Sequence, residues 1–154
     1  MINHSYLRLF SFCILILFLQ ACDNESKKGA GKYGMMDTNT PDYAAVEFFQ
    51  HVYNDKNLNK AIAMSTERMA RLLNSYRTNR NVQRHVFDLV YDEVDIQPDT
   101  GNSIGRSEFA ESAVVTLFFT GTLYDERVED IRVIEMVRKD GKWLVDKIQP
   151  DKYL

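Results

Sequence analysis

Residues 130–148 read DIRVIEMVRKDGKWLVDKI, and this stretch decides the fold. Asp140-Gly141, flanked by Lys139 and Lys142, predicts a tight two-residue hairpin turn. On either side the apolar residues recur with period two. Asp130 to Arg138 forms one strand and Trp143 to Ile148 returns as the next. In that register Met136 faces Val145 and Val137 faces Leu144, so both faces of the hairpin carry apolar pairs. Glu135 then falls opposite Asp146, two like charges that belong on an exposed face with Lys147 and Arg132 nearby.

Upstream, Ala113 to Leu123 is the most strand-like segment, because Val114 to Thr120 are mostly β-branched or aromatic. Both of its faces are apolar near the middle, which predicts a central strand covered on both sides. Pro98-Asp99-Thr100-Gly101-Asn102 marks a turn. Val82 to Ile96 reads as one long strand with Val86, Val90 and Val94 on one edge, and polar Thr78 to Asn81 closes a helical half before it. That half opens at Thr40-Pro41-Asp42, a Thr cap followed by Pro at the first helical position and an acid in the first turn. Ala45, Phe48, Phe49, Val52 and Tyr53 give the helix one wide apolar face, closed by Asn54-Asp55-Lys56-Asn57. A short helix with Leu58, Ala61 and Ile62 inward follows, and Ser65-Thr66 caps a third carrying Met69, Leu72, Leu73 and Tyr76. Helices first and an antiparallel meander afterwards predict an α+β domain, with the helices packed on a curved sheet.

The N-terminus sets the compartment. Arg8 precedes the run Leu9 to Leu19, broken only by Ser11, and small Ala21 precedes Cys22. A basic start, roughly 7–15 apolar residues and a small-residue cleavage site describe a secretory signal. The run falls short of the roughly 20 residues of a membrane span. Leu19-Gln20-Ala21-Cys22 resembles the lipobox of bacterial lipoproteins, which implies cleavage between Ala21 and Cys22 and a diacylglyceryl thioether on Cys22. Two or more acyl chains anchor stably where one does not. Asp23 resembles the inner-membrane retention signal of such lipoproteins, which implies the periplasmic face of the inner membrane, with the outer membrane as the other destination. Cys13 leaves with the signal, so no disulfide forms and no thiol remains for catalysis or metal binding.

The chain thus divides into a signal at 1–21, lipidated Cys22 with a tether at 22–39, and one domain at 40–154. Residues 23–39 are polar and contain three Gly; as a random coil these 17 residues span roughly 20–25 Å. Lys27, Lys28 and Lys32 are offset there by Asp23 and Glu25. The 115-residue domain is long enough to bury a core of its own. The formal charge of −3 becomes −4 once Arg8 is lost, and no basic patch with interleaved aromatics occurs, which argues against nucleic acid as a partner.

The segment AAVEFFQHVYNDKNLNKAIAMS (44–65) resembles the first two helices of the nuclear transport factor 2-like superfamily, and VIEMVRKDGKWLVDKIQP (133–150) is similar to the terminal hairpin of its bacterial lipoprotein members. The resemblance implies a curved sheet wrapped around helices as a cone with an apolar cavity. Members of that superfamily include ketosteroid isomerase and scytalone dehydratase as well as binding modules, so the fold leaves the activity open.

Chemical motifs are sparse. Gly101-Asn102-Ser103-Ile104-Gly105 has the G-x-S-x-G spacing of a hydrolase nucleophile elbow, but it sits in a turn between strands and no His follows it. A glycine-rich loop accounts for it. His51 and His85 share no ligand spacing with each other or with a carboxylate pair, so neither a metal nor another cofactor is expected. Acid–base chemistry in a cone would draw on Tyr53, Tyr76, Tyr91, Glu93, Asp95, Glu135 or Asp146, none of which stands out from a solvated sheet face. Phe48, Phe49, Phe118, Phe119 and Trp143 are candidates to line an apolar cavity. The expectation is a lipid-anchored, non-enzymatic binding or accessory module. Its partner would be an apolar small molecule or an envelope protein. The alternative is a cofactor-free isomerase or dehydratase using a buried carboxylate and a Tyr.

Overall fold

The computed structural model describes residues 39–99 and 110–150. The signal, Cys22, most of the tether and the G-x-S-x-G stretch lie outside them. Among the described residues four helices, α1 (Pro41–Asn54), α2 (Asn59–Ala63), α3 (Glu67–Tyr76) and α4 (Asn79–Val82), precede the strands, and a π-helical turn at Gln83–Phe87 follows α4. Then come β1 (Glu93–Pro98), β2 (Ser112–Leu123), β3 (Glu126–Lys139) and β4 (Lys142–Pro150). The strands form one antiparallel sheet in the order β1-β2-β3-β4, so the fold is α+β as expected.

Local signals place the helices. The Thr40 side chain accepts from the Tyr43 N–H at 3.3 Å, and Pro41 occupies the first turn of α1. Ala44, Ala45, Phe48, Phe49 and Val52 line the buried side of α1. Thr66 caps α3 in the same way, accepting from the Met69 N–H at 3.4 Å, and Met69 and Leu73 are buried.

The stretch 78–96 departs from the expected long strand. Thr78 begins α4 rather than ending the helical half, accepting from the Asn81 N–H at 3.2 Å. Only Glu93–Pro98 is strand. The spacing of four that joins Val82, Val86, Val90 and Val94 is both an even number and close to one helical turn, so it suits either period. Tertiary contacts choose between them. Asn79 donates its side-chain amide to the carbonyls of Val52 at 2.9 Å and Asp55 at 3.2 Å, and Gln83 donates to Val52 O at 3.1 Å. These carbonyls end α1 and have no partner within it. The five-residue step of the π turn then sets Val82 and Phe87 together in the core, before Asp88 (φ 52°) turns the chain away.

The β3–β4 hairpin turns at Asp140 (φ 51°) and Gly141 (φ 77°), and Met136 and Val137 pair with Val145 and Leu144 as predicted. A bulge between Glu135 and Met136 then changes the register, so Glu135 faces Lys147 instead of Asp146. The cause lies outside the hairpin. Val145 exchanges hydrogen bonds with the α2–α3 link, its N–H donating to Met64 O at 2.9 Å and its carbonyl accepting from the Thr66 N–H at 3.0 Å. Asp146 accepts from Thr66 Oγ1 at 2.8 Å and Arg68 at 2.7 Å. The bulge lets Asp146 turn to α3, and the expected like-charge pair does not form. A second two-residue turn, Tyr124-Asp125, joins β2 to β3 with φ of 54° and 64°, and Asp92 accepts from its Tyr124 N–H at 2.9 Å.

Central strand β2 is covered on one face only, against expectation. Val115, Leu117 and Phe119 are buried, whereas Val114 is 70% exposed and Phe118 41%. The described helices lie on the inner side, and nothing among the described residues covers the other. Trp143 is 5% exposed, and its indole N–H donates to Asn39 O at 3.0 Å. Trp143→Ala is expected to cost about 3–5 kcal/mol, the range for a large aromatic lost from a core, read as a lower urea midpoint with unchanged slope.

Candidate functional site

The sheet presents two faces with different chemistry. Inside, Phe49 packs against Phe48 (ring centroids 5.2 Å), Phe87 (5.3 Å) and Phe119 (4.9 Å), mostly edge to face. Phe48, Phe49 and Phe119 are thus brought together, but as solid core. Phe118 lies on the opposite face, and Trp143 stands at the far end of the sheet beside Asn39. Phe87 completes the cluster and was missed because its segment reads as strand.

Next to these rings lies a buried polar group. The Tyr53 hydroxyl donates to Leu89 O at 2.8 Å, and the Tyr53 and Tyr91 rings are 5.9 Å apart. Tyr91 is 4% exposed and stacks on Phe119, and its hydroxyl has no hydrogen-bond partner among the described residues. Gly121 makes room for it: a Cβ there would stand 2.6 Å from the Tyr91 ring and 2.2 Å from Glu93 O. Arg132, expected on the exposed face, is 6% exposed on the inner one. It pairs with Asp130 and donates to Ile131 O at 2.9 Å and Phe87 O at 3.4 Å. Charge pairing and carbonyl acceptors make such burial tolerable. No sequence signal distinguished Arg132 from the solvated charges of β3.

Both phenols stay neutral well above physiological pH. Burial, then the neighbouring Tyr91, pushes the Tyr53 hydroxyl far up, and burial, then the charge of Asp130, pushes Tyr91 up to about 12. These groups are hydrogen-bond donors, not bases. Proton abstraction needs a carboxylate free to accept, and Asp130 is engaged by Arg132. The other acid–base candidates are scattered. Glu135 meets Lys147 at 3.5 Å on the outer face, and Asp146 turns to α3. Asp95 accepts from Gln97 on the exposed β1 edge, where Glu93 also lies, and Tyr76 stacks on His85 with centroids 6.1 Å apart. His51 is held between Glu47 at 3.8 Å and Asp55 at 3.0 Å on α1. It borders a groove of about 410 Å³ with Ala44, Met64, Lys142 and Trp143. Among the described residues no group of three or more His, Cys, Asp or Glu is placed to hold a metal ion. Nor is any described helix long and apolar enough to cross a membrane.

The outer face is apolar where water reaches it. Phe118 pairs with Ile131 across β2–β3, and Val137 (37% exposed) pairs with Leu144 across β3–β4. With Val114 and Val133 they make a patch spanning three strands, beside Thr116, Thr120 and the Glu135–Lys147 pair. Scattered exposed apolar residues are ordinary, but contiguous ones mark an interaction surface. The sequence matches no protein-family model and no curated protein.

The two tyrosines should respond differently to loss of the hydroxyl. Tyr53→Phe removes a hydrogen bond and should cost about 1 kcal/mol, whereas Tyr91→Phe removes a buried donor with no partner and should be neutral or stabilise by about 1 kcal/mol. The unfolded chain releases the Tyr91 proton near pH 10 and the folded one near 12. Stability linked to Tyr91 is therefore full below pH 10 and lost as pH rises toward 12. Urea titrations across that window should show a shallower loss in Tyr91→Phe than in the parent.

Proposed function

We propose that this chain is a lipoprotein of the cell envelope, anchored through Cys22, whose domain is a non-enzymatic module that binds another envelope protein. The anchor half rests on Leu19-Gln20-Ala21-Cys22 and the apolar run before it. Asp23 favours the periplasmic face of the inner membrane. The binding half rests on one observation, the exposed Phe118–Val114 patch on the uncovered sheet face. The resemblance to the nuclear transport factor 2-like superfamily implies an apolar cavity inside the sheet. In this chain the described inner face is filled by Phe48, Phe49, Phe87 and Phe119, which moves the available apolar surface outside.

A second reading, a small molecule held within the domain, is favoured by the Tyr91 hydroxyl, a buried donor without a partner among the described residues. Against its enzymatic form, an isomerase or dehydratase, stands the engagement of Asp130 by Arg132.

Cys22→Ser should release the protein from the membrane fraction or leave the signal uncleaved; incorporation of labelled fatty acid into that variant would defeat the anchor reading. A photoreactive residue at Val114 or Phe118 should give a discrete protein adduct in intact cells, and one at exposed Glu67 on α3 should not. Phe118→Lys should abolish the Val114 adduct without lowering the thermal midpoint. Equal labelling from all three positions would defeat the sheet-face reading.

A further inference from the structure

The charges of the sheet are sorted along its length. Strand β3 has 14 residues and spans about 45 Å. At its start lie Asp125, Glu126 and Glu129, and at the same end of the sheet, beyond β2, Asp92 and Glu93 lead into β1, set against Arg80 and Arg127. Its other end is net basic: Lys139 and Lys142 flank the turn with Asp140 between them, and next to them Arg138 lies over the Trp143 ring at 5.7 Å and donates its backbone N–H to the carbonyl of Glu111, the second acid at this end.

Two features show that the basic end is not simply a solvated hairpin. Lys139 and Lys142 are direct cross-strand partners, and neither forms an ion pair among the described residues. Like charges placed opposite each other destabilise a hairpin, so the arrangement works against folding. In addition, the chain enters the domain at this end. Asn39 is held by the Trp143 indole N–H at 3.0 Å and shares a groove with Gly141, Lys142 and Lys60.

We propose that the β3–β4 turn is a membrane-docking surface for anionic lipid headgroups, and that it stands the sheet on the bilayer with its acidic end outward. The inference rests on the lipoprotein reading, because Cys22 lies 17 residues before Asn39. A coil of that length spans roughly 20–25 Å, about half the length of β3, so the turn is the end kept near the bilayer. Connection alone would let the domain tumble. The negative surface potential of an anionic leaflet favours each lysine or arginine near it by about fivefold and repels the acidic end. The outer sheet face would then stand clear of the bilayer, open to a partner.

Trp143 is the one tryptophan of the chain and lies two residues from the turn, so it reports where the turn is. The lipidated protein is reconstituted in vesicles carrying a trace of dansyl-phosphatidylethanolamine, and energy transfer from Trp143 to the dansyl headgroups is measured. One set of vesicles is equal parts phosphatidylglycerol and phosphatidylethanolamine, and the other is phosphatidylcholine. Transfer should be higher in the anionic vesicles, should fall to the phosphatidylcholine value as salt screens the surface, and should fall in Lys139→Glu/Lys142→Glu. The docked population should drop by at least about fivefold per lysine. Arg127→Glu, a charge reversal at the opposite end of β3, should leave the transfer in anionic vesicles high. Equal transfer in both lipid compositions, with protein that stays on the vesicles in high salt, would overturn the docking. Protein washed off by high salt would instead overturn the anchor, and the docking with it.

Discussion

The C-terminal end of α1 is the constraint on which the rest of this domain depends. Its last carbonyls have no partner within the helix, and that of buried Val52 lies next to a core of phenylalanines. Unpaired buried carbonyls are costly, and Asn79 and Gln83 remove that cost by donating to Val52 and Asp55. To bring both amides to one helix end, residues 79–87 must coil rather than extend. Coiling carries Phe87 into contact with Phe48 and Phe49, and it leaves only Glu93–Pro98 for the first strand. Helix cap, aromatic core and the short edge strand are one linked arrangement.

That arrangement divides the sheet into a filled face and an open one. With Phe87 added, the rings of α1 and β2 close over the inner face, and the polar groups beside them are satisfied in pairs, Arg132 by Asp130 and Tyr53 by Leu89 O. The Tyr91 hydroxyl is the exception among the described residues. The apolar surface left open among the described residues is on the outer face, where Val114 and Phe118 sit beside the half-buried Ile131 and Val133.

At the other side of the sheet, β4 is an edge strand whose Val145 is closed off by the Met64–Thr66 link. The bulge that frees Asp146 for Thr66 and Arg68 ties the helical half to the sheet by side-chain bonds as well as backbone ones. It also leaves Glu135 opposite Lys147, replacing a repulsion that a regular hairpin would have imposed. The opposed pair Lys139–Lys142 has no such relief, and there the register keeps the repulsion, at the end of the sheet where Asn39 lies.

Local chemistry settled much of this in advance. Thr40-Pro41 and Thr66 mark helix starts through side-chain and dihedral effects confined to a few residues, and Asp140-Gly141 sets its turn through positive φ. The pairing of Met136 with Val145 and Val137 with Leu144 follows from that turn. β-branched and aromatic composition placed β2, alternation placed β3 from Asp130 onward though the strand begins at Glu126, and the order of elements determined the α+β class. Four decisions belonged to tertiary structure. A valine spacing of four satisfies helix and strand alike, and the carbonyls of α1, together with the Thr78 cap, made 79–87 helical. Which face of β2 is covered depends on where the helices pack, not on β2 itself, and so Phe118 and Phe119 parted. The bulge came from a partner some 80 residues away in the chain, beyond any local reading of the hairpin. Arg132 looks like any strand arginine until Asp130 and the Phe87 carbonyl are beside it, because burial of a charge is decided by its partners in space.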